Sequence, residues 1–274
     1  MTITPLSHHD ELVALIREGA LVVANHSGGK DSQALLERML PLVPPGQLAV
    51  VHAPLGEVEW PGASELARNH AAAHGLPFIE ARAGKTFFEM VERRFETRPE
   101  VPSFPSAAFR QCTSDLKVSP ITREVRKYAD AHGFTTIIDC TGIRAEESKR
   151  RAKVDPFYLE RRLCTKGRRW YKAAPLFLLG EEEVFSVIAA SGFERHVAYD
   201  LGNDRLSCMF CIMGCKGDLR NAAQFNPLLY AKYVELEHRT GYTMHQSRAS
   251  LEELTGLQAD LSLLGEPSGQ MRVT

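Results

Sequence analysis

The sequence predicts an α/β fold, a mostly parallel, twisted sheet with helices on both faces, plus a small C-terminal, cysteine-containing helical appendage. Three observations carry that expectation. Short apolar or β-branched runs alternate with helical periodicity from about residue 20 to residue 190, the pattern of strands joined by crossover helices. A glycine-rich turn separates the first such run from the helix that follows it. From about Gly202 the alternation fades and a cysteine cluster takes its place. The expected organisation is one domain over residues 1–200 and a cysteine-cluster and helical region over 201–274 packed on it.

Residues 10–18 have helical spacing, and 20–25 read as a buried strand leading into the turn. A helix over 31–39, a strand over 47–52 and a helix over 61–74 stopped by Gly75 come next. Residues 76–81 supply a third strand and 86–95 a helix, after which the Pro-rich stretch RPEVPSFPS breaks the pattern. A helix over 118–132 closes at Gly133, and FTTIID is a β-branched strand. A strand over 170–174 and a helix over 181–190 complete the core, and 227–239 form a terminal helix. Ligands of such sheets gather beyond the carboxyl ends of the strands, which singles out residues 26–32, 52–59 and 140–151.

Hydrophobic residues make up 44% of the 274 and charged residues 24%, a globular composition with no sign of disorder. The longest uncharged apolar stretches, such as 20–24 and 173–179, fall far short of the roughly 20 residues that span a bilayer, so no membrane partner is expected. The opening MTITPLSHHDE lacks the basic-then-apolar layout of a secretory signal, and a cytoplasmic location is expected. Six cysteines in such a setting point to metal binding or thiol chemistry rather than disulfides. The net charge of -1 says nothing about nucleic acid, but residues 144–172 carry eleven Lys or Arg against four Asp or Glu. That stretch reads either as a solvated basic loop or as a surface for phosphate backbones.

In SGGKDS, Gly28 and Gly29 permit a backbone that converges amides on phosphate oxygens. Ser27 and Ser32 add hydroxyls, Lys30 adds a point charge, and the following helix contributes its positive end. A capped turn with no ligand is the plainer alternative. The pattern is neither G-x-x-x-x-G-K-[ST] nor G-x-G-x-x-G.

SGGKDS after an apolar strand resembles the PP-loop of the ATP pyrophosphatase superfamily. Three further segments are similar to its phosphoadenosine phosphosulfate (PAPS) reductase-like branch: HAPLGEVEWPGASELARNHAAAHGLPF, TGIRAEESKRRAK with its G-x-R-x-x-E-S-x-x-R spacing, and WYKAAPLF. The resemblance implies an adenine nucleotide alpha hydrolase-like fold. It also implies a loop that grips the β,γ-pyrophosphate of ATP with Mg²⁺, with cleavage between the α and β phosphates. Carried over by position, Ser27, Gly28, Gly29, Lys30, Asp31 and Ser32 hold the pyrophosphate and its metal. Gly142 and Arg144 lie near the α-phosphate or ribose, and Arg151 is a second clamp. Lys30, Asp31 and Arg144 are the catalytic candidates. Glu147 and Ser148 serve equally well as a helix cap.

CMFCIMGC places Cys208, Cys211 and Cys215 in a C-x2-C-x3-C run, one ligand short of a tetrahedral metal or a cubane. Cys112, in RQCTSD, is the natural fourth. The spacing favours a [4Fe-4S] cluster, with zinc and unligated thiols as alternatives that thiolate softness does not separate. Cys140 reads as a small buried residue, and Cys164 as either the same or a sulfur relay activated by flanking basic groups.

Two departures narrow the branch. PAPS-type reductases carry a C-terminal Glu-Cys-Gly nucleophile, whereas this sequence ends SGQMRVT, and they lack the loop lysine. Lys30 therefore favours ATP as substrate. The combination resembles the iron-sulfur ATP pyrophosphatases of DNA phosphorothioation systems. That resemblance implies adenylylation of an unreactive oxygen, with nucleic acid and a sulfur donor such as a cysteine desulfurase as partners, and it admits a homo-oligomer. The alternatives are a reductase or adenylyltransferase of sulfate assimilation, and a nucleotide-binding redox or nucleic-acid-binding accessory protein without turnover. His70 and His74 stand one helical turn apart with no acidic ligand nearby in the sequence.

Overall fold

A computed structural model of the chain describes residues 4–265. The terminal SGQMRVT lies outside them. In chain order the helices are α1 (His9–Arg17), α2 (Lys30–Met39), α3 (Ala63–Ala73), α4 (Phe87–Thr97), the short turn α5 (Gln111–Thr113), α6 (Ser119–Ala131) and α7 (Glu181–Ser191). They continue with α8 (Lys216–Phe225), α9 (Pro227–Thr240) and α10 (Leu251–Thr255). The strands are β1 (Leu21–Asn25), β2 (Leu48–His52), β3 (Phe78–Glu80), β4 (Thr136–Cys140), β5 (Phe157–Leu159) and β6 (Arg169–Ala173). The chain divides into two compact units, the first formed by Met1–Pro54, Pro61–Arg82 and Lys117–Val197, the second by Leu55–Trp60, Ala83–Leu116 and Ala198–Thr274.

The first unit holds one sheet in the order β3-β2-β1-β4-β6-β5. Every neighbouring pair is parallel except β5 with β6. LVVAN, LAVVH and TIIDC are apolar on both faces because helices cover both. Side chains alternate across the pleat: Val22, Ala24, Val50 and Ile138 pack with the apolar stripes of α1, α2 and α7. Leu21, Val23, Val51, Ile137 and Trp170 pack with Val125 and Ala129 of α6 on the other side. The antiparallel β5 has no counterpart in the sequence reading. It is a three-residue edge strand inside the basic stretch, partly exposed, and it lacks the apolar run that marks a buried strand.

Strand order reverses at β1 and β4, which are adjacent although the chain runs outward from β1 through β2 to β3 before returning. A buried carboxylate ties those two strands at their carboxyl ends. Asp139, 1% exposed, accepts from Asn25 Nδ2 at 2.6 Å, Trp170 Nε1 at 3.3 Å and Lys172 Nζ at 2.5 Å. Asn25 Nδ2 also donates to the Cys140 carbonyl at 2.8 Å.

The second unit has its own core, in which Trp60, Phe87, Met90, Phe104, Phe210 and Tyr233 take part. The sequence places residues 55–60 and 83–116 in the first domain. Their apolar side chains instead share this core with those of α8 and α9, because the amphipathic face of α4 finds its partners there. Helix α8, also not anticipated, starts directly after Cys215, whose Sγ caps it by accepting Asp218 N–H at 3.3 Å. Asn226 caps α9 through Leu229 N–H, with Pro227 at the first helical position. Among the described residues no helix is long and apolar enough to cross a membrane.

Candidate functional site

The loop between β1 and α2 is four residues long and lies at the switch point, where ligands of such sheets bind. Gly28 has φ of 77°. A Cβ there would stand 2.8 Å from both Cα and O of Ala63, at the start of α3, so the position requires glycine. Within the loop, Ser27 N–H donates to Ser32 Oγ at 3.1 Å, Ser32 Oγ–H donates to Gly29 O at 2.8 Å, and Gly28 N–H donates to His26 Nδ1 at 3.1 Å. Two of the amides that the sequence reading aims at phosphate are thus taken by side chains. The first-turn amides of Lys30 and Asp31 have no intrahelical acceptor, and the positive end of α2 is concentrated there.

Lys30 is 3% exposed. Its ammonium lies 2.6 Å from Glu181 Oε1, at the start of α7, and 5.4 Å from the centre of the Phe185 ring. The loop after β4 meets the start of α2 closely: a Cβ on Gly142 would stand 2.7 Å from the Asp31 carbonyl oxygen. That approach delivers Arg144, also 3% exposed, whose Nε donates to Asp31 Oδ1 at 2.7 Å and Nη1 to Glu146 Oε2 at 2.8 Å. Its amide donates to Glu147 Oε2 at 2.9 Å, and the other oxygen of Glu147 pairs with Arg151. Burial raises the Asp31 pKa, and the guanidinium of Arg144 opposes this without cancelling it. Burial works against the charge on Arg144, but Asp31, Glu147 and Glu146 outweigh it and raise its pKa.

Lys30, Asp31, Gly142 and Arg144 are therefore brought together, and Arg151 joins them through Glu147. Ser27 is exposed at the rim, while Gly28, Gly29 and Ser32 are buried. Neither Glu181 nor Glu146 is among the site residues expected from the sequence. The acidic run EEE directly after Gly180, at a helix start, is the signal that was present. An acid beside His70 and His74 is not expected from the sequence either. Glu37 of α2 lies 2.6 Å from His70 Nε2 and 3.2 Å from His74 Nε2, a neighbour supplied by helix packing.

Cys112, Cys208, Cys211 and Cys215 all lie in the second unit. The fully buried Tyr233 hydroxyl has no hydrogen-bond partner among the described residues. Burial drives its pKa well above the usual phenol value, and the nearby Cys208, Cys211 and Cys112 push it further. Cys215 is exposed, and its Sγ lies 3.7 Å from Asp204 Oδ2. The thiolates of these four cysteines are soft ligands that suit zinc and an iron-sulfur cluster alike. Cys140 is fully buried and its thiol pKa is pushed far up, mainly by burial. Cys164 Sγ–H donates to Glu160 O and its sulfur accepts Trp170 N–H, each at 3.4 Å, a packed and locally satisfied thiol.

Within the basic stretch, Arg144, Arg151, Arg168, Arg169 and Lys172 pair with acidic side chains of the same unit. Lys149, Arg150, Lys153, Arg161, Arg162 and Lys166 are exposed. A cavity of about 440 Å³, lined by Val118, Ser119, Thr122, Arg123, Arg126 and Leu163 among others, includes no residue of the phosphate loop or of 141–144.

A parallel sheet with a glycine loop and a buried lysine at its switch point, facing an arginine from the neighbouring strand's loop, defines a nucleotide-binding α/β domain. Residues 21–213 match the phosphoadenosine phosphosulfate reductase domain family. The chain belongs to that family, within the PP-loop superfamily. It is 29% identical over 134 residues to an uncharacterised 37.8 kDa protein of Escherichia phage 186, covering 49% of this chain and 39% of that protein. It is 24% identical over 220 residues to an uncharacterised protein of Methanocaldococcus jannaschii, covering 79% of this chain and 47% of that protein. The chain thus spans less than half the length of these curated relatives. Among solved structures, it is similar to the PAPS reductase of Candida auris in a phosphate complex, with a TM-score of 0.44 and 16% identity over 76% of this chain and 98% of that one. It is also similar to the FMN adenylyltransferase of Candida glabrata in complex with FAD and inorganic pyrophosphate, with a TM-score of 0.42 and 13% identity over 68% and 54%.

Proposed function

We propose that the chain is an ATP pyrophosphatase that cleaves ATP between the α and β phosphates and adenylylates an acceptor oxygen for replacement by sulfur, the acceptor being a nucleic-acid phosphate. The observation that carries this reading is the buried Lys30 ammonium at the start of α2, held 2.6 Å from a carboxylate whose place a phosphate oxygen can take. A buried cation there suits a ligand with a γ-phosphate to neutralise. The amides at the helix start and Lys30 bind the β and γ phosphates, and Gly142 lets the Arg144 loop approach. Asp31 holds the Arg144 fork in position, and Arg144 stabilises charge developing at the α-phosphorus. An acceptor lone pair attacks that phosphorus, the α–β bridging bond breaks, and pyrophosphate leaves with the electron pair. A sulfur nucleophile from a donor protein such as a cysteine desulfurase then displaces AMP. The half-exposed Asp31 carboxylate is the hard oxygen ligand that fits Mg²⁺. Bound there, Mg²⁺ would neutralise phosphate charge.

The thiols of Cys112, Cys208, Cys211 and Cys215, all in the second unit, are soft ligands that fit a [4Fe-4S] cluster, which would supply electron or sulfur chemistry. The exposed Lys149, Arg150, Lys153, Arg161, Arg162 and Lys166 suit a phosphate backbone. The family match favours one further reading, a reductase or adenylyltransferase of sulfate assimilation.

ATP–pyrophosphate exchange and product analysis test the proposal. Lys30→Met should lower exchange at least about 100-fold, the usual loss for one charge-stabilising group. Release of ADP and orthophosphate instead of AMP and pyrophosphate sinks it. Salt-dependent DNA binding that weakens in Arg161→Ala with Arg162→Ala separates it from the sulfate reading, for which sulfate-dependent exchange is the mark.

A further inference from the structure

Glu37, His70 and His74 take no part in that chemistry, yet they form a compact set. α3 presents both histidines on one face, one turn apart, and α2 brings Glu37 between them. The donor atoms lie within 4.8 Å of one another. His70 is buried, Glu37 and His74 are partly exposed, and the Phe193 ring packs 4.3 Å from that of His70 and 5.6 Å from that of His74. Two imidazoles and a carboxylate, apolar on one side and open to solvent on the other, are the donor set of a zinc-like ion with a free fourth position. Bonds of about 2.0–2.1 Å at tetrahedral angles space the donors about 3.3 Å apart. His74 Nε2 and Glu37 Oε1 already stand at 3.2 Å, and His70 Nε2, at 2.6 Å from the same oxygen, has to move by roughly 0.7 Å. The other nitrogen of His70 is fixed by a buried partner, His26 Nε2 at 3.0 Å from His70 Nδ1, as the outer hydrogen bond of a metal-bound histidine requires.

We propose that Glu37, His70 and His74 bind a divalent transition-metal ion such as zinc, and that the phosphate loop senses its occupancy through His26. Proton positions make the link. Without metal, Gly28 N–H donates to His26 Nδ1 at 3.1 Å, so His26 carries its proton on Nε2 and donates to His70 Nδ1. His70 in turn carries its proton on Nε2 and donates to Glu37. A metal on His70 needs a lone pair at Nε2, so that nitrogen must lose its proton and the ring proton must sit on Nδ1. The Nε2 proton of His70 leaves to solvent by way of Glu37, His26 passes its Nε2 proton to His70 Nδ1, and one proton returns from solvent to His26 Nδ1. The number of protons on the two rings is unchanged. His26 Nδ1–H then faces Ser32 Oγ, at 3.4 Å, and no longer accepts from Gly28. Gly28 N–H is released to a phosphate oxygen, and metal and nucleotide each tighten the other's binding.

The site itself does not depend on the proposed activity, whereas the link to the loop rests on the nucleotide reading. Full-length wild type and His74→Gln are dialysed against zinc, desalted and analysed for bound metal, so that any zinc on the cysteines cancels in the difference. Wild type should retain one equivalent more, and Glu37→Gln should match His74→Gln. Equal zinc in all three proteins overturns the site. ATP affinity is then compared in zinc-loaded and zinc-free wild type, with an expected tightening of about fivefold or more on loading. An extra equivalent with unchanged ATP affinity overturns the link. An extra equivalent in a protein that binds no ATP in either form overturns the nucleotide reading and leaves the site standing.

Discussion

Replacing Gly28 by alanine probes the close approach on which the phosphate loop depends. Two costs add. The position has φ of 77°, and a residue with a Cβ loses about 1–2 kcal/mol in that left-handed region. The new Cβ would also lie 2.8 Å from Cα and O of Ala63 and 2.9 Å from its Cβ, atoms that move only if α3 moves. Overpacking of that kind costs about 1–3 kcal/mol, so Gly28→Ala should destabilise the first unit by about 2–5 kcal/mol. Gly75→Ala separates the two effects, since Gly75 has φ of 62° with nothing within 4 Å of the added atom. It should lose only the conformational part. Trp170, fully buried in the first unit, reports unfolding by fluorescence in a Trp60→Phe background. With a urea dependence of a few kcal/mol per molar, the Gly28 variant's midpoint should fall by about 1–2 M and exceed the Gly75 shift clearly. If both variants shift alike, Ala63 does not press on the loop and the steric argument is refuted.

Asp139→Ala should cost about 3–5 kcal/mol, because it strands the Lys172 ammonium and removes the acceptor shared by Asn25 and Trp170. Adding Lys172→Met should recover part of it, and a single-variant loss under about 1 kcal/mol in urea unfolding contradicts the tie between β1 and β4. Asp31 supplies a pH test. Burial raises its folded pKa despite Arg144, so the folded state holds the proton more tightly than the unfolded chain, whose Asp titrates near about 3.9. That contribution to stability is full below about 3.9 and is lost as pH rises through the folded value. Wild type should therefore lose stability relative to Asp31→Asn as pH climbs through the carboxylate range, then hold a constant difference. A difference independent of pH throughout denies the raised pKa.

Much of the first unit was legible along the chain. Runs such as LVVAN and TIIDC announce buried strands by composition alone, and the glycine turn announces itself by residues with local conformational demands. The three-residue β5 was not legible, because an edge strand in a basic stretch carries no apolar run and is recruited by its neighbour β6. Helix α8 was masked by the cysteines before it, one of which turned out to be its cap. The separation of residues 83–116 from the sheet was hidden too, since an amphipathic helix shows which face is apolar but not which core it enters.

By itself the sequence determined the order of the buried strands and their crossover helices, the glycine turn and the residue types gathered near it, because backbone preference and apolar periodicity act over a few neighbouring residues. Only the tertiary structure decided which charges meet. Lys30 finds Glu181, Asp31 finds Arg144, and His26 reaches Glu37 through His70, pairings set by strand order and helix packing between segments far apart in the chain. No local pattern encodes those pairings, because each depends on a burial that exists only once the sheet is assembled and water is excluded around it.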